Sequence, residues 1–227
     1  MADGRDAILS GIRSALGRGP LDDDRKASLE TRLRDHPGGL VPVMAASDES
    51  AEERVKRFIA KVEAVAGTTD RVAGWSEVAA KVADYLAAHN LPTEMAVAPD
   101  SRLDAIAERE LFTVRRGPAL PQDTVGVTVA AAAMAETGSV MLFSGAETPT
   151  SLNFLPDVHV ICVPAVDVMQ GYEEAWERLR ATYGGQVPRT VNLVTGPSRT
   201  GDIEQTIQLG AHGPRRVHVV VVDEPAS

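Results

Sequence analysis

Apolar residues recur along this chain at helical spacing in some stretches and as short, nearly unbroken runs in others, and the alternation of the two predicts the fold class. Ile8, Leu9, Ile12, Ala15 and Leu16 form the first helical pattern, closed by Gly17 and Gly19-Pro20, so a short amphipathic helix opens the chain. Residues 21–50 are charged and then Pro- and Gly-containing, with few large apolar side chains, and read as an extended or partly helical arm that depends on docking elsewhere. A clearer helix begins near Asp48: Val55, Phe58, Ile59, Val62 and Val65 make one stripe, and Glu49, Glu52 and Glu53 suit its positive N-terminal end.

Short apolar runs and helical stretches then alternate. Residues 71–73 predict a strand and residues 76–89 a helix with Val78, Val82, Tyr85 and Leu86 inward. Residues 94–98 predict a second strand, Pro99-Asp100-Ser101 starts a helical turn, and residues 111–114 predict a third strand. From Val125 the pattern changes, because residues 125–134 and 139–143 flank only a brief turn at Glu136-Thr137-Gly138 and read as an antiparallel excursion. A strand around His159, a helix over residues 172–183, a buried strand over residues 191–194, a helix from Asp202 and a closing valine strand over residues 217–222 complete the pattern. The expected fold is α/β, a mostly parallel sheet covered on both faces, with residues 1–50 as a helical extension and residues 51–227 as the domain.

Composition narrows the chemistry. Aromatics make up 4% of the 227 residues, and 23 basic residues face 32 acidic ones for a net charge of −9, which disfavours nucleic acid as a partner. The single cysteine, Cys162, lies in an apolar strand and reads as a small buried hydrophobe. One cysteine cannot supply four ligands to an iron–sulfur cluster. No apolar run matches a signal peptide or a membrane span, so a cytoplasmic location is the expectation.

Polar residues crowd most densely into the turn Thr195-Gly196-Pro197-Ser198-Arg199-Thr200-Gly201-Asp202-Ile203-Glu204. Gly196 and Gly201 have the G-x-x-x-x-G spacing of a phosphate loop, but Asp202-Ile203 stands where that mechanism needs Lys and Ser or Thr. Gly196-Pro197-Ser198-Arg199-Thr200 departs from the G-x-S-x-G nucleophile elbow in its last residue, and no acid-then-His arrangement supports a serine hydrolase. Two readings remain: Thr200 or Ser198 caps a helix with Asp202 and Glu204 in its first turn, or backbone N–H groups and Arg199 hold a polar ligand there. Glu136 is likewise either an exposed turn carboxylate or a group for acid–base or nucleophilic work. His212, between Ala211 and Gly213 in a loop, is the histidine placed to meet a ligand, whereas His159 and His218 sit in apolar strands and read as structural. No histidine pair has metal-ligand spacing. Asn153, in the loop 144–157, belongs to a lid, a partner surface or an ordinary connection.

Four segments, taken in order, resemble the signatures of the lactate utilization (LUD) domain, and within it the lactate utilization protein C family. They are Glu136-Thr137-Gly138-Ser139, Pro156-Asp157-Val158-His159, the run from Thr195 to Glu204, and Leu209-Gly210-Ala211-His212-Gly213-Pro214. Ser139 stands where that family often has Thr, and Gly201 where it often has Ala. The resemblance implies a three-layer sandwich of the NagB/RpiA/CoA transferase-like group. It also implies a part in oxidising L-lactate to pyruvate beside two iron–sulfur proteins, which would carry the clusters this chain does not bind. On that basis Glu136 and His212 are the catalytic candidates, and Thr137, Gly138, Gly196, Pro197, Ser198, Arg199, Thr200, Asp202, Glu204 and Gly213 the binding candidates for a small carboxylate. A small-anion-binding or assembly protein for iron–sulfur partners, and a standalone transferase acting on CoA esters, are the alternatives; homo-oligomerisation is left open.

Overall fold

The computed structural model describes residues 2–37, 49–184, 187–200, 208–210 and 212–224. The chain divides into two units, 1–43 and 44–227. The first holds α1 (Ala2–Ala15) and α2 (Asp23–Asp35). Gly17 turns left-handed just past α1, as its position in the sequence predicts. The Asp22 side chain accepts from the Arg25 backbone N–H at 2.7 Å and caps α2, so half of the expected arm is a regular helix. No α2 residue is buried, and Ile8, Ile12 and Leu16 of the first stripe are exposed.

The second unit begins with α3 (Ala51–Ala64), whose Ser50 and Glu53 form a reciprocal capping box and whose Val55, Phe58 and Val62 are buried. β1 (Thr68–Val72), α4 (Trp75–Ala88), β2 (Glu94–Val97), the short α5 (Asp104–Ala107) and β3 (Thr113–Arg116) follow. Then come β4 (Val125–Val129), β5 (Ala132–Met134), β6 (Ser139–Phe143), β7 (Val158–Pro164) and β8 (Val168–Met169). The chain continues through α6 (Tyr172–Tyr183), β9 (Val191–Val194), β10 (Arg199–Thr200), β11 (Gln208–Leu209) and β12 (Arg216–Val222).

Six strands, in the order β1-β12-β7-β4-β2-β3, pair in parallel throughout. Their side chains alternate between two cores. On β7, Val158, Val160 and Cys162 pack with Val78, Val82 and Leu86 of α4, while Ile161 and Val163 face Phe58 and Val62 of α3. The α3 side is completed by a four-stranded sheet, β8-β5-β6-β9, and α6 covers that sheet's outer face through Ala175 and Leu179. The result is the expected three-layer α/β sandwich with a mostly parallel sheet.

Two local expectations change. Residues 125–134 are not one hairpin arm: Ala130 N–H donates to Cys162 O at 2.9 Å in the large sheet, and Ala131 N–H donates to Met141 O at 2.9 Å in the small one. The alanine run therefore marks a crossing between sheets, and of residues 125–134 only the β5 portion pairs antiparallel with β6. β9 is not the buried strand expected over residues 191–194 either. It runs antiparallel to β6 at the edge of the small sheet, with Leu193 exposed. After β9, Arg199 and Thr200 form a two-residue strand paired antiparallel with Gln208 and Leu209. The helix expected from Asp202 lies outside the described residues.

His159 and His218 are structural, as the strands around them predict. His159 Nε2 lies 2.7 Å from Thr128 Oγ1, and burial pushes its pKa down to about 3. The His218 ring stacks on Tyr85 at 4.0 Å, and its pKa is pushed down to about 4, mainly by burial, with Asp70 pulling the other way.

Candidate functional site

The turn between β5 and β6 carries the first candidate residues. Gly138 adopts φ 72°, and a Cβ there would come within 2.5 Å of the Val62 amide nitrogen on α3, so only glycine lets the turn lie against that helix. Glu136 donates its own N–H to Gln170 O at 3.1 Å, and its Oε1 accepts from the Tyr172 backbone N–H at 3.0 Å. The carboxylate thus meets the positive end of α6. Its charge also reaches Arg57, whose guanidinium is held above its ordinary pKa first by a hydrogen bond to Glu49.

Four hydroxyls join this turn to the next one. Ser139 Oγ is fully buried and lies 2.8 Å from Thr137 Oγ1, 2.9 Å from the Tyr172 hydroxyl and 2.6 Å from Thr195 Oγ1. Thr195 follows β9 and leads into Gly196, which takes φ 69° where the turn presses on the end of α3: a Cβ there would sit 2.5 Å from Val65 O. Backbone bonds then lock the following loop onto this turn, Ser198 N–H donating to Pro214 O at 2.8 Å and Gly210 N–H to Ser198 O at 3.0 Å.

The two loops wall a concavity of about 550 Å³, with Gly196, Pro197, Ser198 and Arg199 on one side and His212 and Gly213 on the other. Asn153, nearly fully buried, and Phe154, half-exposed, close it from the loop before β7. The structure therefore brings together the Gly196 turn, His212 and Gly213, and links Thr137 to them through Ser139 and Thr195. It does not put the Glu136 carboxylate in this wall; that group is directed to the start of α6. Thr200 belongs to β10, while Asp202 and Glu204 lie outside the described residues. Sequence reading missed Tyr172, which shows only as the first residue of a helix, and Thr195, whose role depends on a partner 56 positions away.

Chemically, the concavity offers one guanidinium, one imidazole and a serine hydroxyl to a small polar ligand. The lone thiol is elsewhere: Cys162 is fully buried in the large sheet, and burial pushes it up to about 12. No described helix is long and apolar enough to cross a membrane.

A three-layer sandwich whose small sheet presents two glycine turns against one helix defines a particular kind of α/β domain. Residues 55–222 match the LUD domain, and the chain belongs to that family. It is 32% identical over 191 residues to an uncharacterized protein of Neisseria meningitidis serogroup B, covering 79% of this chain and 81% of that one. It is 34% identical over 108 residues to lactate utilization protein C of Geobacillus kaustophilus, and 32% over 105 residues to that of Bacillus subtilis. Those two matches span 47% and 45% of this chain but only 45% and 44% of the relatives. The crystal structure of a DUF162 family protein from Deinococcus radiodurans shares the fold, with a TM-score of 0.60 at 21% identity over 77% of this chain and 99% of that one.

Proposed function

We propose that this chain serves lactate utilization as a subunit without a redox centre, holding L-lactate while partner chains carry its electrons away. The observation that carries the reading is the kinship with lactate utilization protein C. Converting L-lactate to pyruvate removes two protons, one from the hydroxyl and one from the α-carbon that passes to water, and the two electrons of the α-C–H bond. One buried cysteine cannot hold a cluster, so the electrons leave through partner chains, and the family resemblance implies that these are two iron–sulfur proteins. Arg199 pairs with the lactate carboxylate, His212 takes the hydroxyl proton, and the hydroxyl cluster around Ser139 fixes the turn that carries Arg199. Glu136 acts by anchoring the start of α6 to the β5–β6 turn.

A second reading, assembly of the iron–sulfur partners, is favoured by the exposed Ile8 and Ile12 of α1 and Leu16 just past its end. Titrating isotope-labelled protein with L-lactate, alone and with co-expressed cysteine-rich partners, separates the two. Saturable amide shifts at Gly196, Ser198, Arg199 and Gly213 support the pocket. Copurification of the partners with no shift at those residues supports assembly and contradicts the pocket.

A further inference from the structure

A second cavity, sharing no wall residue with the first, lies at the carboxyl ends of β2 and β4 and has a volume of about 430 Å³. Its place follows from the topology. After β2 the chain moves outward to β3, then returns to the other side of β2 as β4 and proceeds through β7 to β12. The connections from these two neighbours leave on opposite faces, through α5 on one and β5 on the other. Parallel sheets open a crevice at such a reversal, and ligands occupy it.

Its polar wall is built from two nearly buried carboxylates, each facing an arginine. Asp100 is 6% exposed and takes a forked pair from Arg102, Nε to Oδ1 at 2.9 Å and Nη2 to Oδ2 at 2.6 Å, with the Arg102 backbone N–H adding a third bond at 3.0 Å. Arg102 is itself fixed over the Trp75 ring at 5.5 Å. Asp167, 5% exposed, pairs with Arg178 Nη2 at 2.7 Å. Phe143 and Tyr183 meet edge to face at 5.3 Å on the apolar side, and Glu147 stands exposed at the rim.

Both guanidiniums already have a carboxylate, and Glu147 brings the wall to three carboxylates against two cations, in a chain of net charge −9. A free anion is therefore disfavoured. What the wall offers is acceptor and donor side by side, twice over, next to aromatic rings. A pair of adjacent hydroxyls, each able to donate to a carboxylate and accept from a guanidinium, matches that arrangement.

We propose that this cavity binds a neutral ring bearing vicinal hydroxyls, either a free monosaccharide or the ribosyl group of a nucleoside. The two carboxylates differ in a way that suits the task. Burial acts to raise the Asp100 pKa, yet the bonds from Arg102 hold it below the ordinary carboxylate range, so it stays an acceptor. Burial wins at Asp167 and pushes its pKa up, against the pull of Arg178 and Arg102, so a proton is more readily shared with a ligand hydroxyl there.

The test is a titration of isotope-labelled protein with D-ribose, adenosine, 2′-deoxyadenosine and inorganic phosphate, reading the amides of Ala130, Ala131 and Thr148. The expected result is saturable shifts with adenosine, D-ribose or both. Any adenosine affinity should fall by at least about tenfold on removal of the 2′-hydroxyl. Equal response to ribose and adenosine identifies the sugar as the ligand, and response to adenosine alone identifies the nucleoside. Asp167→Asn should weaken the interaction by about tenfold or more while leaving the thermal transition in place. Absence of saturable shifts with both diols, equal affinity for the deoxy compound, or preferential binding of phosphate would each overturn the proposal, with or without a folded variant.

Discussion

Acid should destabilise this protein through two buried imidazoles, and the size of the effect follows from their pKa values. In the unfolded chain each histidine titrates near 6.5; folding pushes His159 down to about 3 and His218 to about 4, chiefly by burial. Above the unfolded value neither state carries the proton, and no stability is at stake. As pH falls below 6.5 the unfolded state takes up protons that the native state refuses, so stability is lost, progressively, until the native values are reached. At about pH 5 the unfolded imidazoles are almost fully charged and the native ones almost fully neutral, so each costs about 2 kcal/mol relative to about pH 8, or roughly 4 kcal/mol together. Urea denaturation of the wild type and of His159→Gln at the two pH values isolates one of them. Gln keeps a partner for Thr128 Oγ1 but does not titrate. The loss between the two pH values should be smaller in the variant by about 2 kcal/mol. An identical loss in both proteins would refute a buried, neutral His159.

Other expectations rest on the two turns. Gly138→Ala should destabilise by about 3 kcal/mol in denaturant titration, since φ 72° disfavours a side chain and the new Cβ would meet the α3 backbone 2.5 Å away. Tyr172→Phe should lose about 1 kcal/mol, and a double-mutant cycle with Thr195→Val should show coupling, because both hydroxyls bond Ser139. His212→Ala should leave stability within about 0.5 kcal/mol of wild type, as the side chain is exposed, while lowering lactate turnover in the assembled system.

Much of the fold is legible in the residues. The helical stripe of Val55, Phe58 and Val62 and the nearly unbroken apolar runs around His159 and His218 are unambiguous, and each forms the predicted element. The crossing at Ala130 and Ala131 is silent, because consecutive alanines have no polar face to mark where one sheet ends and the other begins. β9 misleads for a related reason: Val191, Leu193 and Val194 look central, yet Leu193 is an exposed edge residue. At the site, Gly196, Arg199, His212 and Gly213 can be picked out because glycines and charged groups stand against apolar strands. The Ser139 cluster and the Asp100–Asp167 wall cannot, since their members are brought together only by strand order across the sheets.

The most direct test of the functional account is L-lactate-dependent reduction of an electron-accepting dye by the co-expressed iron–sulfur partners, measured with and without this chain. The account predicts that the partners alone are slow, that adding the chain restores pyruvate formation, and that chain carrying Arg199→Gln restores it only at raised lactate concentration. Full-rate reduction by the partners alone, or full rescue by the Arg199→Gln chain at low lactate, would contradict it.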